Sequence, residues 1–483
     1  MDDTSRPAPV HAFGDDALGE HDAVGLAAEI RAGRLSLPEV VEAAIARTVR
    51  LEAALTGLAT ERFEAARAEA RAPRGGFFAG QPIFVKDNSD VHGVPTQHGS
   101  RAFTAAPATA DGDVARMFGL IGTTVLGKSR LSEYGFGPSA EFVDEPAVPN
   151  PWDVGHTAGA SSAGSAAFVA GGAVAMAHAN DGGGSIRIPA ACTGLVGLKP
   201  TRGRTPSDRM NREMPVRIVQ DGVVTRSVRD SAAFLRESER VYRTLRLPPV
   251  GDVTGPGKKR LRVALVLDSI GDRTTDEESR RTAQRTAALL EELGHVVVPA
   301  DLPVSAHFED DFLDYWSLLA LAVSRNGRRL FGPGFDRAHH DALTHGLARR
   351  AARRAALLPL AVTRLRRSRR ASERFYADHD VLLTPVLASA APELGWLSPD
   401  QPYETLIRKI TDWVCFTPLQ NATGDPAISL PMGATETGLP IGVQLAAPQG
   451  HDRRLLEVAY ALEEAQPFAR IQDVATPRAP APR

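Results

Sequence analysis

Cysteine is almost absent: the 483 residues hold two, Cys192 and Cys415. No disulfide framework is available, and a reducing, cytoplasmic setting is expected. Lysine is nearly as scarce. Only six of the 56 basic residues are Lys, at 86, 128, 199, 258, 259 and 409, which leaves 50 Arg. Neither sign of charge dominates, since 58 acidic residues give a net charge of −2. The Arg-rich stretch from Arg349 to Arg370 therefore reads as a solvated helix face paired with acidic neighbours. Neither nucleic acid nor a membrane is expected as a partner. No apolar run reaches membrane-spanning length; Ala166 to Ala177 is short and broken by glycine. The opening MDDTSRPAP is acidic where a secretory leader would be basic. The 13 histidines fall into no H-E-x-x-H or Cys/His spacing, so no metal and no cofactor is expected. His339, His340 and His345 read as a solvated helix surface. His156 and His178 read either as lining a site or as structural.

What the chain does have is concentrated between Gly159 and Pro200. Two serine-bearing, glycine-rich turns, at Ser161–Ser162 and at Gly182-Gly183-Gly184-Ser185, flank a short apolar segment. Three successive glycines let backbone N–H groups approach a bound atom closely. A serine closing that run is placed to attack what those groups polarise. This is the outline of an acyl-transfer site.

A serine needs a base. The G-x-S-x-G elbow fails at both turns, and no lysine has a serine three residues before it, so S-x-x-K fails too. The scarcity of lysine supplies another candidate. Arg keeps its proton in proteins, whereas a desolvated Lys becomes a neutral base near pH 7. Lys86 ends the apolar run Pro82 to Val85, a buried strand that would carry it inward. The competing reading pairs it with Asp87. Gly122 to Ser129 satisfies the P-loop expression G-x-x-x-x-G-K-[ST], but Thr-Thr-Val-Leu between its glycines prefers to be a strand, so no nucleotide is expected. Cys192, behind Pro189-Ala190-Ala191, reads as a packed thiol.

These segments resemble the amidase signature family of serine hydrolases. The likeness continues at Pro82-Ile83-Phe84-Val85-Lys86-Asp87-Asn88 and His92-Gly93-Val94-Pro95-Thr96. Downstream it returns at Asp425-Pro426-Ala427-Ile428-Ser429-Leu430-Pro431 and Gly438-Leu439-Pro440-Ile441-Gly442-Val443-Gln444. It spans roughly residues 22 to 465 and is loose from about 250 to 375. The resemblance implies Ser185 as nucleophile, Lys86 as base and Ser161, 24 residues before Ser185, as a bridging serine held by a cis peptide. It implies an oxyanion hole from the N–H groups of Gly182, Gly183, Gly184 and Ser185. Ala160 and Gly182 depart from it, most relatives having Gly and Thr there. Asn180 to Ser185 with Val223 to Asp230 resembles a subgroup acting on cyclic aminohexanoate dimers, aryl amides and carbamates. In relatives the loop holding Tyr134, Phe136 and Gly137 lies near the nucleophile, so these are expected pocket walls. Ser162, Phe416 and Gln420 are further candidates.

Helical and strand patterns alternate. Ala23 to Ala32, Leu37 to Arg50 (Ser36 as N-cap) and Thr275 to Leu293 predict helices. Thr123 to Leu126, Arg262 to Leu267, His295 to Val298 and Val381 to Thr384 predict strands. The alternation predicts an α/β fold; the resemblance implies a mixed twisted sheet flanked by helices on both faces. The expected organisation is an N-terminal extension (1–20), one domain (21–470) and a disordered tail (471–483). The domain comprises a signature core at about 75–235, a helical pocket insertion at about 250–375 and a C-terminal part at 376–470. Phe312, Tyr315, Trp316 and Leu319 share a helical stripe that reads as core or as pocket wall. The expected activity is hydrolysis of small apolar or aryl amides, with carbamates included. A dedicated carbamate hydrolase and a glutaminase subunit of an amidotransferase are the alternatives. The partner is a small-molecule amide or carbamate, and a homodimer is left open.

Overall fold

The structure, a computed structural model, describes residues 8–474. Eight strands form the main sheet in the order Val296–Pro299, Arg262–Leu265, Val381–Pro385, Pro440–Ala446, Ala427–Ala434, Val196–Lys199, Gln220–Thr225 and Met176–Asp181. The first three run parallel and each later neighbour pair is antiparallel. Side chains alternate across it with the period of two that a strand imposes. Ile428, Leu430, Val443 and Leu445 enter a core with Leu455 and Leu456 of helix Asp452–Ala465 and Leu290 of helix Glu277–Glu292. Ala427 and Ala446 face the other way, with Phe375 and Tyr376 of helix Leu358–Asp378. Helices thus cover both faces.

A second, three-stranded sheet places Thr124–Ser129 between Leu58–Glu61 and Pro82–Lys86. The P-loop-like segment is therefore mostly strand. Its Lys128 is buried, with Nζ 3.0 Å from Asp87 Oδ1 and 3.1 Å from Thr96 Oγ1.

Local signals set several boundaries. Ser36 and Glu39 form a reciprocal capping box with Pro38 in the first turn. That helix runs to Leu55, past the expected Arg50, because Leu51 and Leu55 are buried and extend its apolar stripe. Helix Glu277–Glu292 starts on an Asp276 cap, and Gly294 follows its end at φ +89°.

The middle of the chain folds as helices Phe308–Phe331, Ala342–Arg353 and Leu358–Asp378. The Arg-rich stretch spans the last two, split by a 3-10 turn at Ala355–Leu357. Four of its arginines meet acids: Arg350 and Arg354 share Asp314, Arg364 reaches Asp311 and Arg369 reaches Glu373. His340 departs from the solvated surface expected of its cluster. It is buried, and its Nε2 lies 3.2 Å from the Tyr134 hydroxyl. The N-terminal segment lies against the body, with Ala12 and Leu18 buried and Asp16 held by Arg47. Ile471–Asp473 forms a 3-10 turn with Ile471 buried beside Trp152 and Leu439. The tail expected from residue 471 is thus packed at its start; residues 475–483 lie outside the described residues. Among the described residues no helix is long and apolar enough to cross a membrane.

Candidate active site

Strand Pro82–Lys86 is buried throughout. Ile83 and Val85 belong to one core, while Phe84 turns to the other, its ring 4.6 Å from that of Phe168. Lys86, two residues on, follows Phe84 towards helix Ala163–Ala170. Its Nζ lies 2.7 Å from Ser161 Oγ and 2.7 Å from Asn180 Oδ1. Burial pushes the Lys86 ammonium down to about 7, although Asp221 and Asp181 pull it back up. Asp87 is occupied by Lys128 instead. Three lysines are fully buried; Lys128 is ion-paired, Lys199 donates to Pro200 O at 3.0 Å, and Lys86 reaches a serine.

Ser161 follows a cis peptide bond from Ala160. Gly135, in the left-handed region at φ +75°, lies against it, and a Cβ there would sit 3.1 Å from Ser161 Oγ. Ser162 starts the helix and donates from Oγ to Asn180 O at 3.3 Å.

Ser185 sits on the turn between strand Met176–Asp181 and helix Arg187–Thr193. That helix lies flush on the sheet because glycines face it. A Cβ at Gly197 would come 2.5 Å from Ala190 Cβ, and one at Gly442 would come 2.6 Å from Ala191 Cβ. The turn itself is clamped. Asp181 Oδ1 accepts from Gly184 N at 2.8 Å, Thr417 Oγ1 donates to Gly183 O at 2.5 Å, and Asn421 Nδ2 donates to Asp181 O at 2.9 Å. Behind it Arg187 is fully buried. It grips Asp181 through Nε and Nη2, both at 2.8 Å, and donates its other protons to Thr417 O, Gln444 Oε1 and Asn421 Oδ1. Burial alone would raise Asp181, but the guanidinium overrides it and holds the carboxyl near 2.

This corrects one expectation. The Gly184 N–H is spent on Asp181 and is not free for an oxyanion. Among the described residues the N–H groups of Gly182, Gly183 and Ser185 have no acceptor.

Ser185 opens into a cavity of about 770 Å³, mouth included. Phe136, Ile188, Phe312, Leu313, Trp316 and Ile410 are among its walls, with Gly137 also present and Glu309 and Thr411 as polar members. The helical stripe divides. Phe312 and Trp316 line the cavity, while the Tyr315 hydroxyl bonds to Val216 and Leu319 packs in the core. Four expected wall residues lie elsewhere. Tyr134 turns into a ring cluster with His98, Phe331 and His340, its hydroxyl on Ser100. Ser162 is taken up by Asn180 O, Phe416 is packed with Ala388 and Cys415, and Gln420 accepts from Arg187. The walls missed in the sequence include Ile188, Phe308 and Leu313, and Ile407 and Ile410 of helix Tyr403–Trp413. The strong amphipathicity of that helix was the available signal. His178 is fully buried beneath Lys86, and His156 lies on strand Asp153–Thr157.

Comparison with known proteins places this arrangement. A sequence model of the Amidase family matches residues 39–456. The chain belongs to the amidase signature family. It is a hydrolase of amide C–N bonds. It is 54% identical over 464 residues to AmiC of Mycobacterium leprae, covering 96% of this chain and 99% of that protein. It is 33% identical to the 6-aminohexanoate-cyclic-dimer hydrolase of Paenarthrobacter ureafaciens, covering 92% and 95%. A solved 6-aminohexanoate cyclic dimer hydrolase complexed with substrate superposes with a TM-score of 0.85 at 30% identity, over 95% of this chain and 99% of that one.

Proposed function

We propose that the enzyme hydrolyses small apolar or aryl amides, and carbamates of like shape, through an acyl-enzyme on Ser185. The observation that carries this reading is the buried contact of 2.7 Å between Lys86 Nζ and Ser161 Oγ beside that serine's turn. A neutral Lys86 amine directs its two N–H bonds at Asn180, whose Oδ1 is 2.7 Å and whose carbonyl is 3.5 Å away. Its lone pair is left to accept the Ser161 hydroxyl proton. Ser161 then takes the proton of Ser185 as Ser185 Oγ attacks the carbonyl carbon. The N–H groups of Gly182, Gly183 and Ser185 receive the developing oxyanion. The relay runs backwards to protonate the leaving nitrogen, and water repeats the cycle to release the acid.

The cavity walls support an apolar acyl or aryl group, since they are mostly aromatic and aliphatic. Carbamates share the tetrahedral intermediate and fit the same relay. The test is to trap the enzyme with an aryl fluorophosphonate, locate the adduct by mass spectrometry, and compare turnover of a matched aryl amide, aryl carbamate and aryl ester. An adduct on Ser185 with amide or carbamate turnover is expected. Stoichiometric labelling of another residue with loss of turnover, or turnover that survives complete labelling of Ser185, sinks the reading.

Trp316 gives a sharper check of the pocket. Trp316→Ala is expected to lower kcat/KM for an aryl amide by about 10- to 100-fold and to affect acetamide far less. Equal losses on both substrates would remove Trp316 from the acyl or aryl subsite.

A further inference from the structure

The edge strands of the two sheets meet at the active site. Lys86 ends Pro82–Lys86, the outer strand of the small sheet, and Met176–Asp181 is the outer strand of the large one. Between them stands His178. Its Nδ1 accepts the Lys86 backbone N–H at 3.2 Å, and its Nε2 lies 3.2 Å from Asp221 Oδ1. Asp221 stands on the neighbouring strand directly opposite Asn180, while Val223 is opposite His178. Paired residues share a face, so His178, Asn180 and Asp221 all present to the strand that carries Lys86. Both members of the His178–Asp221 pair are buried, at 0% and 1% side-chain exposure. The arrangement defines one tautomer: Nδ1 accepts from a peptide N–H, so Nε2 carries the proton and donates it to Asp221.

Among the described residues Asp221 has no Arg or Lys partner, and its Oδ2 has no hydrogen bond. A buried carboxylate left this way has no cation of its own except through the field it exerts on its neighbours. The other charged groups around Lys86 are engaged elsewhere. Asp181 is gripped by Arg187 and Asp87 by Lys128. Asp208, next to Asp221, is raised by burial and by the Asp221 charge, which disfavours its own ionisation. Asn88, Asn180 and Ser161 complete the neutral surroundings.

We propose that His178 and Asp221 are a positioning pair for the reaction: His178 sets the register of Lys86 against the Ser185 turn, and Asp221 supplies the buried negative charge that the Lys86 ammonium feels. The inference rests on Lys86 acting as the base. In support, Asp221 is the leading influence opposing the downward push of burial on Lys86. Without that charge the ammonium loses its proton more easily, so the neutral base persists to lower pH.

The test is the pH profile of kcat/KM on p-nitroacetanilide for wild type and Asp221→Asn, whose amide oxygen still accepts from His178. The acid-limb midpoint is expected to fall by about one pH unit in the variant; the midpoint, not the plateau rate, is the readout. A purely structural Asp221 would lower the plateau and leave the midpoint in place, which overturns the charge role. His178→Leu, which leaves the Lys86 N–H without an acceptor, is expected to lower kcat by about tenfold or more with KM unchanged. A change in KM alone overturns the positioning role. Should the variants fail to fold, 15N NMR of the wild-type histidines decides: a proton on Nδ1 of His178 overturns the pair. Full activity of Lys86→Met would defeat the underlying reading. An unmoved midpoint with Lys86→Met inactive would defeat this inference alone.

Discussion

Lys86→Met is expected to lower kcat for an aryl amide by about 10³- to 10⁴-fold while KM changes little. Methionine occupies nearly the same volume in the buried strand end but offers no lone pair of comparable basicity to Ser161. Lys86→Arg should fail as badly. A guanidinium does not give up its proton inside a protein, and it adds bulk to a position with no exposed surface. Wild type supplies the control. With burial holding Lys86 near 7, the neutral base accumulates as pH rises, so kcat/KM should climb through about pH 7 to a plateau. A rate independent of pH from 5 to 9, or a Lys86→Met enzyme within tenfold of wild type, would remove Lys86 from the proton relay. Aryl esters should suffer less than amides in Lys86→Met. A phenolate leaves without protonation, whereas an amine must receive a proton from the relay.

How far the site was legible depended on how local its chemistry is. Lys86 stood out because Arg is used almost everywhere else and because the apolar run before it marks a buried strand; the structure brings it to Ser161. The two glycine-rich turns were visible because only backbone freedom explains them. Helix ends were equally local, as at Ser36 and Gly294. The mixed sheet with helices on both faces followed from alternation together with the family likeness. The pocket walls were harder. Phe136 and Gly137 line the cavity, but Tyr134, two residues before Phe136, turns the other way. Tyr134 adopts a left-handed backbone at φ +48°, which no spacing rule anticipates for a non-glycine residue. Phe416 and Gln420 failed for a related reason: the short helix Pro418–Thr423, which holds Gln420 and follows Phe416, touches the cavity through Pro418 and turns Gln420 and Asn421 to Arg187 and the Ser185 turn. Arg187 itself was overlooked inside an apolar helix, although a charge between Ile186 and Ile188 was the available hint. Its partners at 417, 421 and 444 lie more than 200 positions away, and pairing over such distances is written in packing rather than pattern.

Arg187→Met is expected to destabilise the enzyme by about 3–5 kcal/mol. Removing the guanidinium leaves the Asp181 carboxyl buried without its counter-charge, and the same substitution orphans the carbonyl of Thr417 and the amide oxygens of Gln444 and Asn421. Arg187→Lys should recover little, because a single ammonium does not reproduce the two parallel bonds to Asp181. The double variant Arg187→Met, Asp181→Leu separates stability from function. With neither charge buried, much of the thermal stability should return. Activity should not, because the Gly184 N–H loses the acceptor that shapes the turn carrying Ser185. The pair also fixes an acid response. The Asp181 carboxyl falls from its usual 3.8 to about 2 on folding, so its stabilisation is fully present above pH 4 and disappears as pH drops through 2. Thermal unfolding of wild type, both single variants and the double variant, set beside their rates on an aryl amide, checks every part. A double variant that regained activity along with stability would show that the buried pair holds the fold without shaping the Ser185 turn.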